Sequence, residues 1–238
     1  MPIEYCEKQH IALNDIEIVT CVVGMKAYEH EHQYIEFSRD AIGVAVADDK
    51  LSQTVELQRN TIYGLDGTKM YVRLREIIIK RQRQVLLTVK PVNEDGMSSK
   101  EEYEVEVSNL GHAQKILQLL GLEKRYIVEK IRETWKLADG CEIVFDRYPG
   151  LDEIMELEAP TRAKLAVIEK RLRLTPSEFG VKKLYTDKYG IDSLERRELT
   201  FKNAAGLLGP RVRKHKTKFM HLSREQRRMV NTLLDRSQ

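Results

Sequence analysis

The chain has 238 residues, 42% of them hydrophobic and 32% charged, with 40 Lys and Arg against 37 Asp and Glu. That apolar share excludes global disorder and suffices to bury a sizeable core, as one large domain or two small ones. No uncharged apolar run approaches the ~18–20 residues of a membrane helix. The opening MPIEYCEKQH has no basic start followed by an apolar stretch, so the expectation is a soluble cytoplasmic protein without a secretory signal.

Charge is unevenly spread. From Pro210 to Gln238 nine basic residues stand against two acidic ones, while the remainder carries a slight acidic excess. Any argument for nucleic acid therefore rests on the tail. Cys6, Cys21 and Cys141 form no C-x-x-C pair, which speaks against a disulfide framework and for a reducing compartment.

In chain order, Ile3 to Leu13 alternates with period two and predicts a strand. Asn14-Asp15 offers a helix N-cap before Ile16, Ile18, Val19, Val22 and Val23, although β-branched residues weaken that helix. His30 to Phe37 reads as a strand, and Ser38 to Asn60 gives no clear pattern, leaving a short helix or an irregular insertion as the alternatives. In KMYVRLRE, Tyr71, Arg73 and Arg75 alternate with Met70, Val72 and Leu74, and QVLLTVK alternates likewise. The basic stretch Lys80 to Arg83 suits a hairpin loop between them, and NEDGMSSK a second, with Asp95-Gly96 at its turn. EEYEVEV places Glu102, Glu104 and Glu106 on one face.

Gly111 to Gly121 predicts a short amphipathic helix closed by glycine. RYIVEKIRETW then sets Lys130 and Arg132 on one side of a strand, Asp139-Gly140 turns, and CEIVFD and IMELE add two more strands. Pro160-Thr161 opens a helix through Leu172, and Thr175-Pro176-Ser177-Glu178 opens another. Ser223-Arg224-Glu225-Gln226 is a capping-box pattern for an amphipathic helix over 223–236, with Met229, Val230, Leu233 and Leu234 as its apolar stripe.

The plainer reading of such strands is a half-solvated antiparallel sheet, whose wet face carries charge without a function. The sharper one is a closed barrel with a polar interior, where charges must be paired or bind ions or ligand. A lumen of several Lys and Arg with several carboxylates suits a triphosphate held together with Mg²⁺ or Mn²⁺.

An ordered series of short motifs carries a resemblance. It runs Glu4-Tyr5-Cys6-Glu7-Lys8, Arg73-Leu74-Arg75, Leu87-Thr88-Val89-Lys90, Glu102 to Glu106, and Lys130-Ile131-Arg132. It continues with Asp146 before Pro149-Gly150-Leu151, Glu156-Leu157-Glu158, Lys183-Leu184-Tyr185 and Tyr189-Gly190-Ile191-Asp192. The series resembles the CYTH-domain proteins of the triphosphate tunnel metalloenzyme superfamily. It is most like the class IV adenylyl cyclase-like members, with thiamine triphosphatase and inorganic tripolyphosphatase as relatives.

The resemblance implies an α+β fold, an eight-stranded antiparallel β-barrel or tunnel with helices packed outside, over 1–192. A basic C-terminal helical tail, 193–238, would follow. Glu4, Asp146, Glu156 and Glu158 would correspond to ligands of Mg²⁺ or Mn²⁺. Arg73, Arg75, Lys130, Arg132 and Lys183, with Glu104, would bind substrate, and Glu4, Lys8 and Lys90 would be catalytic. The implied activity is conversion of ATP to cyclic AMP and pyrophosphate, or hydrolysis of a nucleoside or organic triphosphate. A homodimer is a partner state the resemblance brings with it, which no motif here carries.

Cys6 stands where the pattern has Glu, a soft thiol in place of a hard carboxylate. The alternatives are accordingly a nucleotide- or polyphosphate-binding protein without turnover, or an RNA 5′-triphosphate protein using the basic tail 210–228. For that tail a solvated segment is the plainer reading. The pair His30 and His32 reads as a surface pair, since no third zinc ligand stands nearby.

Overall fold

The computed structural model describes residues 9–13, 16–20, 30–65, 70–80, 82–91, 103–176, 180–191, 193–194, 197–209 and 224–234. Two long strands form the spine, β4 (Lys50–Gly64) and β8 (Glu123–Leu137), paired antiparallel along almost their whole length. On the β4 side follow β5 (Met70–Ile79), β6 (Gln82–Pro91) and β7 (Tyr103–Glu106). On the β8 side follow β9 (Glu142–Arg147), β10 (Ile154–Ala159) and β3 (His30–Tyr34). β9 takes only the C-terminal part of β8's second edge. The two-residue β11 (Glu198–Leu199) pairs parallel with Ile127 and Val128 on the remainder.

The expected closed eight-stranded barrel is not formed by the described residues. They make an open nine-stranded sheet with β3 and β7 at its ends. Closure requires the end strands to pair across the gap. Here those strands are five and four residues long, and each pairs on one side. A separate hairpin of β1 (Gln9–Leu13) and β2 (Ile16–Thr20) forms its own two-stranded sheet, with β2 against β7. The helix expected from Ile16 is therefore a strand, as its β-branched residues favour.

Helices cover one face of the sheet. Ser38, in the stretch without a clear pattern, caps α1 (Arg39–Ala45), and Thr161 caps α3 (Arg162–Leu172). Both helices pack on Tyr34, Trp135, Ile143, Phe145, Met155 and Leu157. Asn109 caps α2 (Leu110–Leu119), which buries Ala113 and Leu117 against Tyr63, Val72, Leu74 and Val85. The turn between β5 and β6 is tighter than the expected loop, since Gln82 and Arg83 already pair in β6.

Residues past 192 join this core. Phe201 packs with Leu57, Ile78 and Ile131 beside a short helix α5 (Ala204–Leu207). Met229 and Val230 of α6 (Arg224–Leu234) enter the same cluster. The basic run 210–223, with its expected nucleic-acid contact, lies outside the described residues, as do the Asp95-Gly96 turn, Glu102 and Asp192. No described helix is long and apolar enough to cross a membrane.

Candidate active site

The face away from α1, α2 and α3 is charged. Strand alternation puts every second side chain there, and the register aligns the rows across strands. Arg73 of β5 stands opposite Thr88 of β6, which stands opposite Glu104 of β7. Arg75 faces Asn60 of β4, Glu56 faces Arg132 of β8, and Gln58 faces Lys130. Arg132 faces Asp146 of β9, and Asp146 faces Ile154 of β10, which brings Glu156 to the next step on the same face.

Asp146 is the centre of one ion cluster and is fully buried, at 0% exposure. Lys130 Nζ donates to its Oδ2 at 2.7 Å. Arg132 clamps the same carboxylate with Nε to Oδ1 at 2.8 Å and Nη2 to Oδ2 at 2.6 Å. The guanidinium also donates to Glu156 Oε2 at 2.7 Å and lies 3.9 Å from Glu158 Oε1. Gln33 of β3 donates to the other Glu156 oxygen at 2.7 Å. Burial works to raise the Asp146 carboxyl, but Arg132 and Lys130 outweigh it and hold it well below the usual carboxylate range. Burial also opposes the charge on Arg132, yet Asp146, Glu156 and Glu158 hold its pKa well above the ordinary value. Lys130 is lowered, by burial first and then by the neighbouring Arg132.

A second group lies across β4 on β5 to β7. Arg73 Nη2 donates to Thr88 Oγ1 at 3.2 Å, Thr88 donates to Glu104 Oε2 at 2.7 Å, and Arg73 and Glu104 are 3.8 Å apart. Arg75 Nε donates to Asn60 Oδ1 at 3.1 Å. Lys90, half-buried, stands opposite Tyr71 on the same strands.

One end of this face is closed by α4 (Val181–Tyr189). Tyr185 is buried with Tyr148 and Ile154, and Tyr126 and Val128, which alternate in phase with Lys130, pack against them. Its hydroxyl donates to Pro149 O at 2.8 Å, and the Tyr189 hydroxyl donates to Gly150 O. Gly150 has φ +80°, and a Cβ there would meet Leu208 Cδ1 at 2.5 Å. The turn thus requires glycine for both conformation and space. Lys130 Nζ sits 5.7 Å from the Tyr148 ring, so α4 and this turn back the lysine.

The structure thus gathers Arg73, Arg75, Lys90, Glu104, Lys130, Arg132, Asp146, Glu156 and Glu158 on one face. It does not bring Lys183 there: that side chain is 63% exposed and pairs with Asp187 on its own helix, at 2.7 Å. Glu4, Cys6 and Lys8 lie outside the described residues. His32 pairs with Glu169 of α3, at 2.5 Å. Sequence reasoning missed Glu56, Gln58, Asn60 and Tyr148. The β4 trio shares one parity in KLSQTVELQRNTIYG, the signal that could have found it. Gln58 is 1% exposed and donates to Glu56, and its Oε1 has no hydrogen-bond partner among the described residues.

The carboxylates are the oxygen donors that Mg²⁺ or Mn²⁺ prefers. Their arrangement does not fit such an ion as it stands. Among the described residues no three acids, histidines or cysteines gather as a ligand group. The Arg132 guanidinium already stands among Asp146, Glu156 and Glu158.

The chain belongs to the CYTH domain family: the sequence pattern of the CYTH domain matches residues 38–185, more than half of the chain. Solved structures share its fold at low identity. The PH1819 protein of Pyrococcus horikoshii OT3 superposes with a TM-score of 0.51 at 21% identity, over 65% of this chain and 97% of that one. The PH1012 protein of the same organism gives 0.51 at 17%, over 65% and 97%. A proposed adenylate cyclase from Vibrio parahaemolyticus gives 0.50 at 18%, over 66% and 97%. No curated protein matched the chain significantly.

Proposed function

We propose that the charged face binds the phosphates of a nucleoside or organic triphosphate and that the protein acts on them. The action is formation of cyclic AMP and pyrophosphate from ATP, or hydrolysis. One observation carries the reading: Arg73, Arg75, Lys90, Lys130 and Arg132, from three strands, share one face of the sheet. Membership of the CYTH family supports it. The fold shared with a proposed adenylate cyclase is compatible with the cyclase form.

Guanidinium forks match phosphate oxygens in pairs, and lysines add compact charge. Arg73, Arg75 and Arg132 are the forks, each now donating to protein oxygens that phosphate oxygens would replace. Burial beside Tyr148 limits water around Lys130, which strengthens its pull on an anion. Mg²⁺ or Mn²⁺ belongs to the reading as the cofactor the resemblance implies, and the assay tests it. Domain limits of 1–192 and 193–238 and a cytoplasmic location are part of the same proposal.

The test is turnover of ATP, GTP, thiamine triphosphate and tripolyphosphate with Mg²⁺ or Mn²⁺, all products resolved by chromatography. The reading expects metal-dependent product that disappears in Glu156→Gln/Glu158→Gln. Cyclic nucleotide with pyrophosphate identifies a cyclase, and orthophosphate with the diphosphate a hydrolase. A second reading, binding without turnover, is favoured by Arg132 filling the acid cluster. Saturable binding with no product on any substrate would select it.

A further inference from the structure

β4 lies between the two groups of cations, with Lys130 and Arg132 of β8 on one side and Arg73 and Arg75 of β5 on the other. Those two strands are about 10 Å apart, two strand spacings. A polyphosphate reaching from one group to the other crosses the β4 row of Glu56, Gln58 and Asn60. Its end at Arg132 lies beside Glu56, the register partner of that arginine. Asp146, Glu156 and Glu158 stand against Arg132, and Glu104 against Arg73. A cation that close favours the ionised carboxylate and makes it a poorer proton acceptor. Glu56 differs. It is half-buried, forms no ion pair among the described residues, and has the Gln58 amide as its partner. That amide is held at a cost. Gln58 is 1% exposed, and its Oε1 has no hydrogen-bond partner among the described residues. Turning the amide round would set a carbonyl against the carboxylate, two acceptors with no proton between them. An orphaned buried carbonyl lowers stability, and what it secures here is an N–H donated to Glu56.

We propose that Glu56 is the general base of triphosphate hydrolysis and that Gln58 is its positioning residue. Water between the Glu56 carboxylate and the terminal phosphate at Arg132 attacks the phosphorus. The new P–O bond forms as the bridging P–O bond breaks, and the electron pair leaves on the diphosphate. The proton of the attacking water passes to a Glu56 oxygen and from there to solvent, so the products are orthophosphate and the diphosphate. Gln58 contributes by fixing the carboxylate: its N–H occupies one Glu56 oxygen, and its burial keeps the amide from turning. The proposal rests on the triphosphate reading and narrows it to the hydrolase form.

The test uses the full chain and whichever of ATP, GTP, thiamine triphosphate and tripolyphosphate wild type hydrolyses, under the assay conditions above. Glu56→Gln keeps the shape of the side chain and should lower kcat about a hundredfold or more, with KM and equilibrium binding close to wild type. Gln58→Leu removes the orphaned carbonyl together with the N–H. It should lower kcat about tenfold or more and melt no lower than wild type, a pairing that a merely structural role would not give. Formate, a small carboxylate supplied from solution, should restore turnover to Glu56→Ala and leave wild type unchanged. Wild-type kcat in Glu56→Gln, a loss that falls on binding instead of kcat, or a Glu56→Ala variant that formate does not restore overturns the proposal. Wild-type kcat in Gln58→Leu overturns the positioning role. Triphosphate binding by wild type with a cyclic product, or with no product, also overturns Glu56 as the base of hydrolysis, while the phosphate-binding reading stands. No binding by wild type overturns both.

Discussion

Glu129 and Lys130 are neighbours in β8, both buried, and they serve opposite faces of the sheet. On the helix-covered side Glu129 accepts from Arg59 Nη2 at 2.7 Å and from the Phe201 backbone N–H at 2.8 Å. It thereby ties β4 and the segment after β11 to β8. On the other side Lys130 donates to Asp146. The two residues predict different defects. Glu129→Ala leaves Arg59 partly buried without its partner and should cost about 3–5 kcal/mol in a denaturant melt. Lys130→Met leaves Asp146 with Arg132, so its stability loss should be the smaller one, while triphosphate affinity falls roughly tenfold or more. Melts and equilibrium binding on both variants check the contrast.

Acid should loosen the site in a set order. Arg132 and Lys130 hold the Asp146 carboxyl low against the opposing effect of burial, so its folded pKa lies below the unfolded one. Its stabilising contribution is then complete above the unfolded value of about 4 and is lost as pH falls through the folded value. The melting temperature of wild type should fall steeply below that point. In Asp146→Asn this part of the slope should be missing, with a loss of about 3 kcal/mol at neutral pH. Equal acid slopes for the two proteins would contradict the pairing.

The turn that seats α4 allows a sharper steric test. Gly150→Ala places a Cβ 2.5 Å from Leu208 Cδ1 on a backbone with φ +80°. The expected cost is about 1–3 kcal/mol, measured by thermal or denaturant unfolding.

On α4, two residues of one motif should behave differently. Tyr185→Phe removes the buried hydroxyl from Pro149 O and should cost about 1–2 kcal/mol. Lys183→Ala removes one exposed i,i+4 pair and should change stability by less than about 0.5 kcal/mol. Parallel melts of the two variants check both.

Alternation made β6 and β10 legible, because Val85, Leu87 and Val89, and Met155, Leu157 and Ala159, each form an apolar parity towards the helices; β5 and β8 stay legible by the bases on their other face, despite Glu76, Glu129 and Glu133 on the helix side. β4 resisted the same reading. Its Gln58 and Asn60 face the charged side, but Arg59 and Thr61 are polar on the other side as well, since Arg59 is the partner of buried Glu129. A charge pair on the core side erases the period that sequence reading depends on. The K-x-Y motif failed for a different reason. It lies on a helix, where residues two apart project from roughly opposite sides, so burying Tyr185 turns Lys183 outward. Barrel closure depends on pairing between distant edge strands, which leaves no local signature in either strand. Motif order pointed to these carboxylates and bases as candidates, whereas the sharing of Arg132 between three acids is a matter of side-chain geometry.

Equilibrium binding of tripolyphosphate, with Mg²⁺ present, tests the central claim most directly, on wild type and on Arg73→Met/Arg75→Met. The two arginines lie on β5, across β4 from the Asp146 cluster, so the acids and their partners stay intact in the variant. The account predicts saturable binding by wild type and a loss of roughly tenfold or more in the double variant, for two removed forks. No binding by wild type, or equal binding by both proteins, would contradict it.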